Sequence, residues 1–323
     1  PKVICTRATK TCSGVSDPSR LWLRLVNTLP EAKLPTYYQR WLQSLIIKPA
    51  KAYSPPEPCP PLELRPRKLS VTQLETLLSD PYQIYARYVL RLVPIEIGLN
   101  SKSLRWYGTI AHQLLEHITT NTDVTNDEIS ALVIETLEQE PIPGELKAEW
   151  HPRLLELLLW WQSFWQTYKP QAPFVASEVR GRWNIEEFDF VLEGIADHLC
   201  FSQDGTLIIT DFKTGTLPSN QEIMAGFASQ MPLLGLIAAN GGFGADWHKY
   251  TELEMRYIKL ATRDRSKVLT LAQTSELLDS TYAGLKRCIN YYNQPKSIYP
   301  SNPFGTKKYP NAYCHLARLA EWM

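Results

Sequence analysis

The sequence lacks the features that mark several large classes of protein. Its 323 residues contain no run approaching about eighteen uncharged apolar residues, so no membrane-spanning helix is predicted. The six cysteines include no CxxC pair, which argues against a zinc finger and a disulfide-stapled secreted domain and favours a reducing, cytosolic setting. No Gly-x-x-x-x-Gly-Lys-Ser/Thr motif is present, and this excludes a P-loop nucleotide site.

The chain also lacks a strong excess of charge of either sign. Its formal net charge is only +1, so bulk electrostatics does not indicate a nucleic-acid binder. The charge is uneven, however, because basic residues outnumber acidic ones over 62–110 and 255–310, whereas acidic residues dominate 112–160. The two basic segments either converge on one face or are ordinary solvated helix surfaces. The chain begins without an initiator Met or an apolar leader, so we expect a fragment with no signal peptide.

The chain is predicted to fall into three parts. Residues 51–68 contain a cluster of prolines, which remove backbone donors and stiffen the chain, so we predict a linker there. Residues 1–50 precede this linker with short extended and helical patterns. A larger domain is expected over 69–323, beginning where Ser70 and Gln73 have the spacing of a capping box.

The larger domain changes between helical and strand patterns. Apolar residues at three- and four-residue steps predict helices, and short β-rich runs between polar turns predict strands. The predicted helices cover residues 71–79, 82–92, 104–119, 127–139, 145–168, 221–239 and 271–292, and the predicted strands cover 174–183, 188–201, 206–212 and 252–260. Three consecutive strands indicate an antiparallel meander. We therefore predict an α/β fold with a mixed central sheet flanked by helices.

Charged side chains are expected to meet at the end of the third strand of this meander. Asp211 and Lys213 are two residues apart and share a strand face, and Asp197 on the preceding strand can lie beside Asp211. Neighbouring carboxylates raise each other's pKa unless a cation lies between them, and hard oxygen ligands suit Mg²⁺ or Mn²⁺. An ammonium group there can assist an attacking water and neutralise transition-state charge. An isolated Asp-x-Lys indicates a surface ion pair, but the second aspartate and Gly215 favour metal-assisted phosphodiester hydrolysis.

Two polar residues on predicted helices are further candidates. His112 lies four residues after Gly108, off the main apolar stripe of its helix, and Glu116 one turn later can orient it. Gln230 lies among apolar neighbours on the helix after the meander. Each of these residues by itself is typical of ordinary helix packing or surface, and the order in which they occur carries the interpretation.

The ordered set Gly108-x-x-x-His112, Gly194-Ile-Ala-Asp197, Asp211-Phe-Lys213 and Gln230 resembles the RecB-type branch of the PD-(D/E)XK nuclease superfamily. The resemblance covers about residues 69–323 and implies a restriction-endonuclease-like core with an α-helical insertion. It implies that Asp197, Asp211, His112 and the backbone carbonyl of Phe212 bind the metal and that Lys213 assists the attacking water. Gln230 matches the glutamine of the family's Gln-x-x-x-Tyr motif, and Leu234 replaces its tyrosine.

The ends of the chain resemble the nuclease-bearing AddB subunits of bacterial AddAB-type helicase–nucleases. The similar segments are 6–10, 18–20 and 315–322. This resemblance implies that residues 1–50 are the remnant of a helicase-like lobe, and that the partners are a single DNA strand and an AddA-type subunit, with no membrane. It implies double-strand break processing in the bacterial cytoplasm, at the nucleoid. Because Cys59 and Cys314 lack an accompanying CxxC, we predict no iron–sulfur cluster.

Several basic residues are candidates for contacts with DNA. Tyrosines interleaved with cations can stack on bases while the cations contact phosphates, and lysines near the C-terminus can line the same path. The candidates are Arg87, Arg91, Arg105, Lys307 and Lys308. Two other functions stay open for the sequence: a RecB-like nuclease of a mobile element or CRISPR system, and a catalytically silent scaffold that binds DNA and a partner.

Overall fold

The computed structural model describes residues 7–8, 10–11, 14–29, 40–41, 43–44, 54–94, 99–121, 124–168, 174–226, 228–260, 268–271, 274–303 and 312–318. The chain divides into two compact units, Pro1–Tyr53 and Ser54–Met323. No helix in these described ranges is long and apolar enough to cross a membrane. The catalytic candidates all lie in the second unit.

The described part of the first unit is small. Strands β1 (Lys10–Thr11) and β2 (Gly14–Val15) form an antiparallel pair. Helix α1 (Arg20–Thr28) follows, and its N-terminus is capped by Ser19, whose Oγ accepts a hydrogen bond from the backbone N–H of Trp22 at 3.2 Å. The assignment of this unit to a helicase-like lobe stays a prediction.

One mixed sheet organises the second unit. Its strands are β3 (Lys68–Ser70), β4 (Phe174–Ile185), β5 (Phe190–Phe201), β6 (Thr206–Lys213), β7 (Glu252–Lys259) and β8 (Val268–Thr270). Strand β5 pairs with β4 along one edge, and its other edge pairs with β3 in parallel near its start and with β6 in antiparallel near its end. Strand β7 lies parallel to β6, and β8 closes the order antiparallel to β7. The predicted antiparallel meander and the mixed α/β sheet are confirmed.

Helices cover both faces of the sheet and form with it the two larger hydrophobic cores. The helices are α2 (Val71–Ser79), α3 (Pro81–Ile84), α4 (Leu99–Thr120), α5 (Asn126–Gln139), α6 (Gly144–Tyr168), α7 (Asn220–Met224), α8 (Gln230–Ala239) and α9 (Thr274–Tyr292). The first core joins one sheet face to α2, α8 and α9 and contains Leu74, Leu234 and Leu285. The second core joins the other face to α4, α5 and α6 and contains Trp161 and Phe212. The sheet therefore lies between two helical layers.

Three details of the fold differ from the sequence prediction. The helix expected over 221–239 is two helices, since the chain turns at Gly226, whose φ is +79°, before α8 starts at Gln230. The stripe at 82–92 is the short helix α3 followed by a π-helical turn (Tyr85–Val89), and it ends at Arg91 with a left-handed φ of 56°. Strands β3 and β8 were not predicted, because three residues are too few to show a periodic pattern.

The described part of the proline-rich segment is held against the C-terminal end of α9. The guanidinium of Arg65 donates hydrogen bonds to the carbonyl oxygens of Pro60, Tyr292, Gln294, Pro295 and Ser297, at 2.7–3.3 Å. Arg65 is buried, and these carbonyl oxygens satisfy its donors in place of a carboxylate. The segment from residue 54 onward thus packs as part of the second unit.

Candidate active site

The carboxyl end of β6 holds a closed triangle of polar side chains. Gln230, the first residue of α8, donates from Nε2 to Oδ1 of Asp211 at 2.7 Å, and its Oε1 accepts from Nζ of Lys213 at 2.8 Å. Nζ of Lys213 also lies 2.8 Å from Oδ2 of Asp211. The ammonium lies 5.7 Å from the ring centre of Tyr257, which is in register with Asp211 on β7. Each member of the triangle therefore restricts the other two.

Asp197 lies between the end of β6 and helix α4. The backbone N–H of Phe212 donates to Oδ2 of Asp197 at 2.8 Å. Nδ1 of His112 lies 3.6 Å from the same oxygen. The His112 ring meets the Phe212 ring edge to face, with 6.0 Å between ring centres. The backbone N–H of Phe212 thus positions Asp197, and the ring of Phe212 positions His112.

Glu178 on β4 is a site residue that the sequence reasoning missed. The pairs on either side of it, Ser177 with His198 and Val179 with Ala196, place Glu178 opposite Asp197. Its φ is 51°, a left-handed conformation that is uncommon away from glycine. Ligand atoms of His112, Glu178 and Asp197 all lie within 4.8 Å of one another. The register that brings this glutamate to the site depends on the position of the β4–β5 turn, at residues 186–189, which the predicted strand bounds do not give.

The usual alternation of strand faces is interrupted at this point in both strands. On β4, Val179 and Trp183 pack against the first core, but so does Ala176, which is three residues from Val179. On β5, Leu192, Ala196 and Leu199 all belong to the first core. An uninterrupted strand alternates every two residues. The interruption therefore allows Glu178 and Asp197 to approach His112 from the side of the sheet that α4 covers.

Burial and charge shift the pKa values of the acidic groups upward. Burial, then Asp211 and Glu178, raise the pKa of Asp197 to about 8, although the N–H of Phe212 acts against this. Burial raises the pKa of Glu178, and the nearby carboxylate of Glu116 adds to it. Burial also raises the pKa of Asp211, whereas the ammonium group of Lys213 acts to lower it. Clustered carboxylates of this kind favour a cation among them.

The donor set fits a hard divalent cation. Burial lowers the pKa of His112, which favours the neutral imidazole, the form in which histidine binds metals. Carboxylate oxygens from Glu178 and Asp197 beside this nitrogen are ligands that Mg²⁺ and Mn²⁺ accept. The carboxylate of Asp211 is only 3% exposed: its Oδ1 accepts a hydrogen bond from Gln230, and its Oδ2 lies 2.8 Å from Nζ of Lys213 but has no hydrogen bond among the described residues. A cation held by His112, Glu178 and Asp197 would therefore lie beside the triangle.

Open pockets lie on both sides of this centre. One, of about 470 Å³, is lined by Gly108, Thr109, His112, Gln113, Glu116 and Glu178. The other, of about 340 Å³, is lined by residues that include Glu75, Lys213, Glu222, Gln230 and Tyr257. A substrate can therefore reach the carboxylate cluster from the α4 side and the Lys213 ammonium from the α8 side.

The structure brings together five predicted site residues: His112, Asp197, Asp211, Lys213 and Gln230. Phe212 contributes its N–H to Asp197, and its carbonyl oxygen stays a predicted ligand. Leu234, at the position of the family's tyrosine, is fully buried, and a Cβ atom on Gly194 would lie 2.5 Å from its Cδ2. This position therefore fills the core.

The predicted DNA contacts are only partly within the described residues. Arg87 and Arg91 are exposed, and the guanidinium of Arg87 lies 5.8 Å from the ring centre of Tyr88. The side chain of Arg105 and residues Lys307 and Lys308 lie outside the described part of the chain. Contacts of these five basic residues with DNA stay predictions.

The chain is similar to a known protein family and to several known proteins. The model of the PD-(D/E)XK nuclease superfamily matches residues 68–316. An uncharacterized protein of Rickettsia bellii is 26% identical over 98% of the chain and 40% of its own length, and one of Rickettsia conorii is 27% identical over 75% and 30%. The chain thus spans less than half the length of these curated relatives.

One solved structure, a "Putative exonuclease" from Eubacterium rectale, is similar at a TM-score of 0.47 and 10% identity, covering 79% of this chain and 94% of that one. The matched range includes every strand of the mixed sheet and also His112, Glu178 and Asp197 of the carboxylate cluster. The chain belongs to the PD-(D/E)XK nuclease superfamily.

Proposed function

We propose that this protein is a divalent-metal-dependent deoxyribonuclease that hydrolyses phosphodiester bonds. The observation that carries the proposal is the placement of the Asp211–Lys213–Gln230 triangle beside the ligand cluster of His112, Glu178 and Asp197. A cluster of carboxylates with raised pKa values would cost stability in a protein that merely binds a partner. The arrangement supports an enzyme over the silent scaffold.

The chain's own residues supply positioning and charge for the reaction. Hydrolysis joins a water oxygen to phosphorus, breaks one phosphorus–oxygen bond, and leaves a proton on the departing sugar oxygen. The ammonium of Lys213, held by Asp211 and Gln230, can donate a hydrogen bond to the attacking water or to a phosphate oxygen on which negative charge builds. Because Asp211 and Gln230 hold the ammonium group in place, Lys213 needs little movement to reach its position in the transition state.

The cation would be held by His112, Glu178 and Asp197, and by Asp211 as the family resemblance implies. A bound Mg²⁺ or Mn²⁺ supplies positive charge that polarises the phosphodiester and eases deprotonation of water. The N–H of Phe212 holds Asp197 in place for this purpose. The predicted carbonyl contact from Phe212 would complete the ligand set.

We further propose that the nuclease processes DNA ends together with a helicase partner of the AddA type, on a strand unwound from the duplex, at the nucleoid. The support is the resemblance of segments 6–10, 18–20 and 315–322 to AddB subunits. The greater length of the Rickettsia relatives is compatible with a role as one part of a larger protein.

The test is cleavage of end-labelled single-stranded and duplex DNA with Mg²⁺, Mn²⁺ or EDTA. Lys213→Ala and Asp211→Ala are each expected to reduce cleavage by at least about 10²-fold, the scale seen when one group that stabilises transition-state charge is removed. Lys286→Ala is the matched control, because Lys286 pairs with Glu187 on the surface. Metal-dependent cleavage that survives both site substitutions would overturn the assignment of residues, and cleavage in EDTA would overturn the metal requirement.

Metal binding separates an inactive enzyme from a scaffold. Calorimetric titration of Mn²⁺ is expected to show binding that Asp197→Ala removes. If neither cleavage nor Mn²⁺ binding is found, the proposed nuclease function is wrong and the scaffold interpretation replaces it.

A further inference from the structure

The β4–β5 hairpin presents an open surface beside the carboxylate cluster, which we call the hairpin face. It consists of Arg180, Arg182 and Asn184 on β4 together with Val191, Glu193 and Ile195 on β5, which are in register as the pairs 180–195, 182–193 and 184–191. The three β4 side chains are exposed, and Ile195 is 45% exposed although it is apolar. This part of the sheet thus carries side chains that contribute little to the cores.

The hairpin face lies beyond the interruption at Glu178 and Asp197, on the side of the sheet opposite the first core. Beyond it, Val179, Gly181 and Trp183 face the first core, so the alternate residues Arg180, Arg182 and Asn184 face the opposite side. That opposite side is the one on which His112 of α4 meets Asp197. The hairpin face therefore continues directly from the carboxylate cluster along β4, starting two residues after Glu178.

The cations of the hairpin face are not neutralised within the described structure. Arg180 has no hydrogen bond or ion pair to any residue that the structure describes, and Arg182 donates from Nε to Oδ1 of Asn184 at 3.1 Å. The acid of this face, Glu193, is paired with Lys68 of β3 at 2.9 Å. Two guanidinium groups thus remain available on a surface whose acidic member already has a partner.

We propose that the hairpin face binds the DNA backbone next to the bond that is cut, with Arg180 and Arg182 on successive phosphates and Ile195 against a sugar or base. This inference rests on the proposed nuclease function and names where its substrate lies. Arginine matches phosphate through two parallel hydrogen bonds, which fixes register as well as adding charge.

The spacing and the electrostatics of the site both favour this placement. Residues two apart on a strand are separated by about 6.6 Å, which is similar to the distance between neighbouring phosphates along a nucleic-acid strand. The carboxylates of Glu116, Glu178 and Asp197 repel a polyanion, so a cationic surface at their border is needed to hold the strand. Arg180 is the first exposed cation along β4 from Glu178.

The experiment is fluorescence anisotropy of a labelled oligothymidine of about 20 nucleotides with the full chain in EDTA, over a series of salt concentrations. Each phosphate contact on a single strand contributes about 0.7 to the slope of log affinity against log salt. The double variant Arg180→Ala/Arg182→Ala is therefore expected to lower that slope by about 1.4 and to weaken binding about 25-fold in 0.1 M salt. Arg180→Lys/Arg182→Lys should restore most of the slope, because it keeps both charges.

The matched control is Lys286→Ala/Arg287→Ala, which removes the same charge from α9, on the other side of the sheet. It is expected to bind like the unaltered chain. Equal loss in this control, an unchanged slope in the arginine variant, or no salt-dependent binding by the unaltered chain would each overturn the proposal. Unchanged circular dichroism melting of the exposed arginine variant verifies that it is folded.

The binding result is independent of the cleavage result. If the arginine variant loses affinity as expected while Asp211→Ala leaves cleavage intact, the hairpin face stands and the assigned chemistry is wrong. If Asp211→Ala abolishes cleavage while the arginine variant binds normally, the nuclease stands and the hairpin face is not its substrate surface.

Discussion

The ion pair between Asp211 and Lys213 permits a quantitative test of the site. Its acid is 3% exposed and its base 31% exposed, with 2.8 Å between Nζ and Oδ2. Lys213→Met keeps most of the side-chain volume and removes the charge. Asp211 would then retain only its hydrogen bond from Gln230 as a polar partner in the triangle.

The expected loss of folding stability is that of a buried carboxylate whose neighbouring ammonium group has been removed. Removal of one partner of a buried pair destabilises by about 3–5 kcal/mol, whereas an exposed pair contributes about 0–1 kcal/mol. The pKa of Asp211 is raised by burial, and loss of the opposing ammonium raises it further. Asp211 therefore binds a proton more readily in the folded variant than in the unfolded chain, so the loss of stability should be largest at alkaline pH and shrink as the pH falls toward 5.

The assay is urea unfolding in EDTA at pH 5 and pH 8, followed by tryptophan fluorescence. Lys68→Met is the control, because Lys68 pairs with Glu193 at 2.9 Å but at the surface, with exposures of 59% and 34%. The further variant Lys213→Met/Asp211→Asn should recover part of the lost stability by removing the unpaired charge. A loss in Lys213→Met no larger than that in Lys68→Met, or one independent of pH, would refute the reasoning.

Three further changes test the site and its support. Glu178→Gln should weaken Mn²⁺ binding at least about 10-fold in calorimetry, and an unchanged affinity would remove Glu178 from the ligand set. Burial lowers the pKa of His198 to about 3, so between pH 7 and pH 5 the unfolded chain gains a proton that the folded one does not. This costs about 2 kcal/mol of stability at pH 5; His198→Phe should abolish that difference in urea unfolding, and an equal pH effect in both proteins would contradict it. Gly194→Ala should destabilise by about 1–3 kcal/mol, because the new Cβ would lie 2.5 Å from Cδ2 of Leu234. Combining it with Leu234→Ala should cost less than the two separate losses, and simple additivity in thermal melts would show that the two residues do not clash.

Local patterns determined much of the fold. The helices α4, α5 and α6 follow from apolar residues at three- and four-residue steps, and the meander follows from short β-rich runs, because both signals are short-range consequences of backbone geometry. The capping box of Ser70 and Gln73 lies where its spacing predicts, at the start of α2. Helices and strands that are marked by a sequence pattern within about ten residues could thus be predicted without tertiary information.

The candidate site was readable in part for the same reason. Asp211 and Lys213 share a face because strands alternate, and Asp197 could be placed beside them because consecutive strands of a meander pair. The structure does bring these residues together with His112 and Gln230. The roles of the individual residues in binding metal and in catalysis stay predictions that the experiments above address.

Only the tertiary structure decided the features that depend on register and on packing between distant segments. Strand β3 exists because Leu69 packs beside Leu192, more than a hundred residues away. Glu178 joins the site because hairpin pairing places it opposite Asp197, in a backbone conformation that no local propensity indicates. Such contacts arise from interactions between segments far apart in sequence, whereas propensity and periodicity report only on neighbours along the chain. The sequence by itself thus determined the kinds of elements and the charged residues at the end of β6, and the packing of the folded sheet decided which further side chain lies near them and which surface adjoins them.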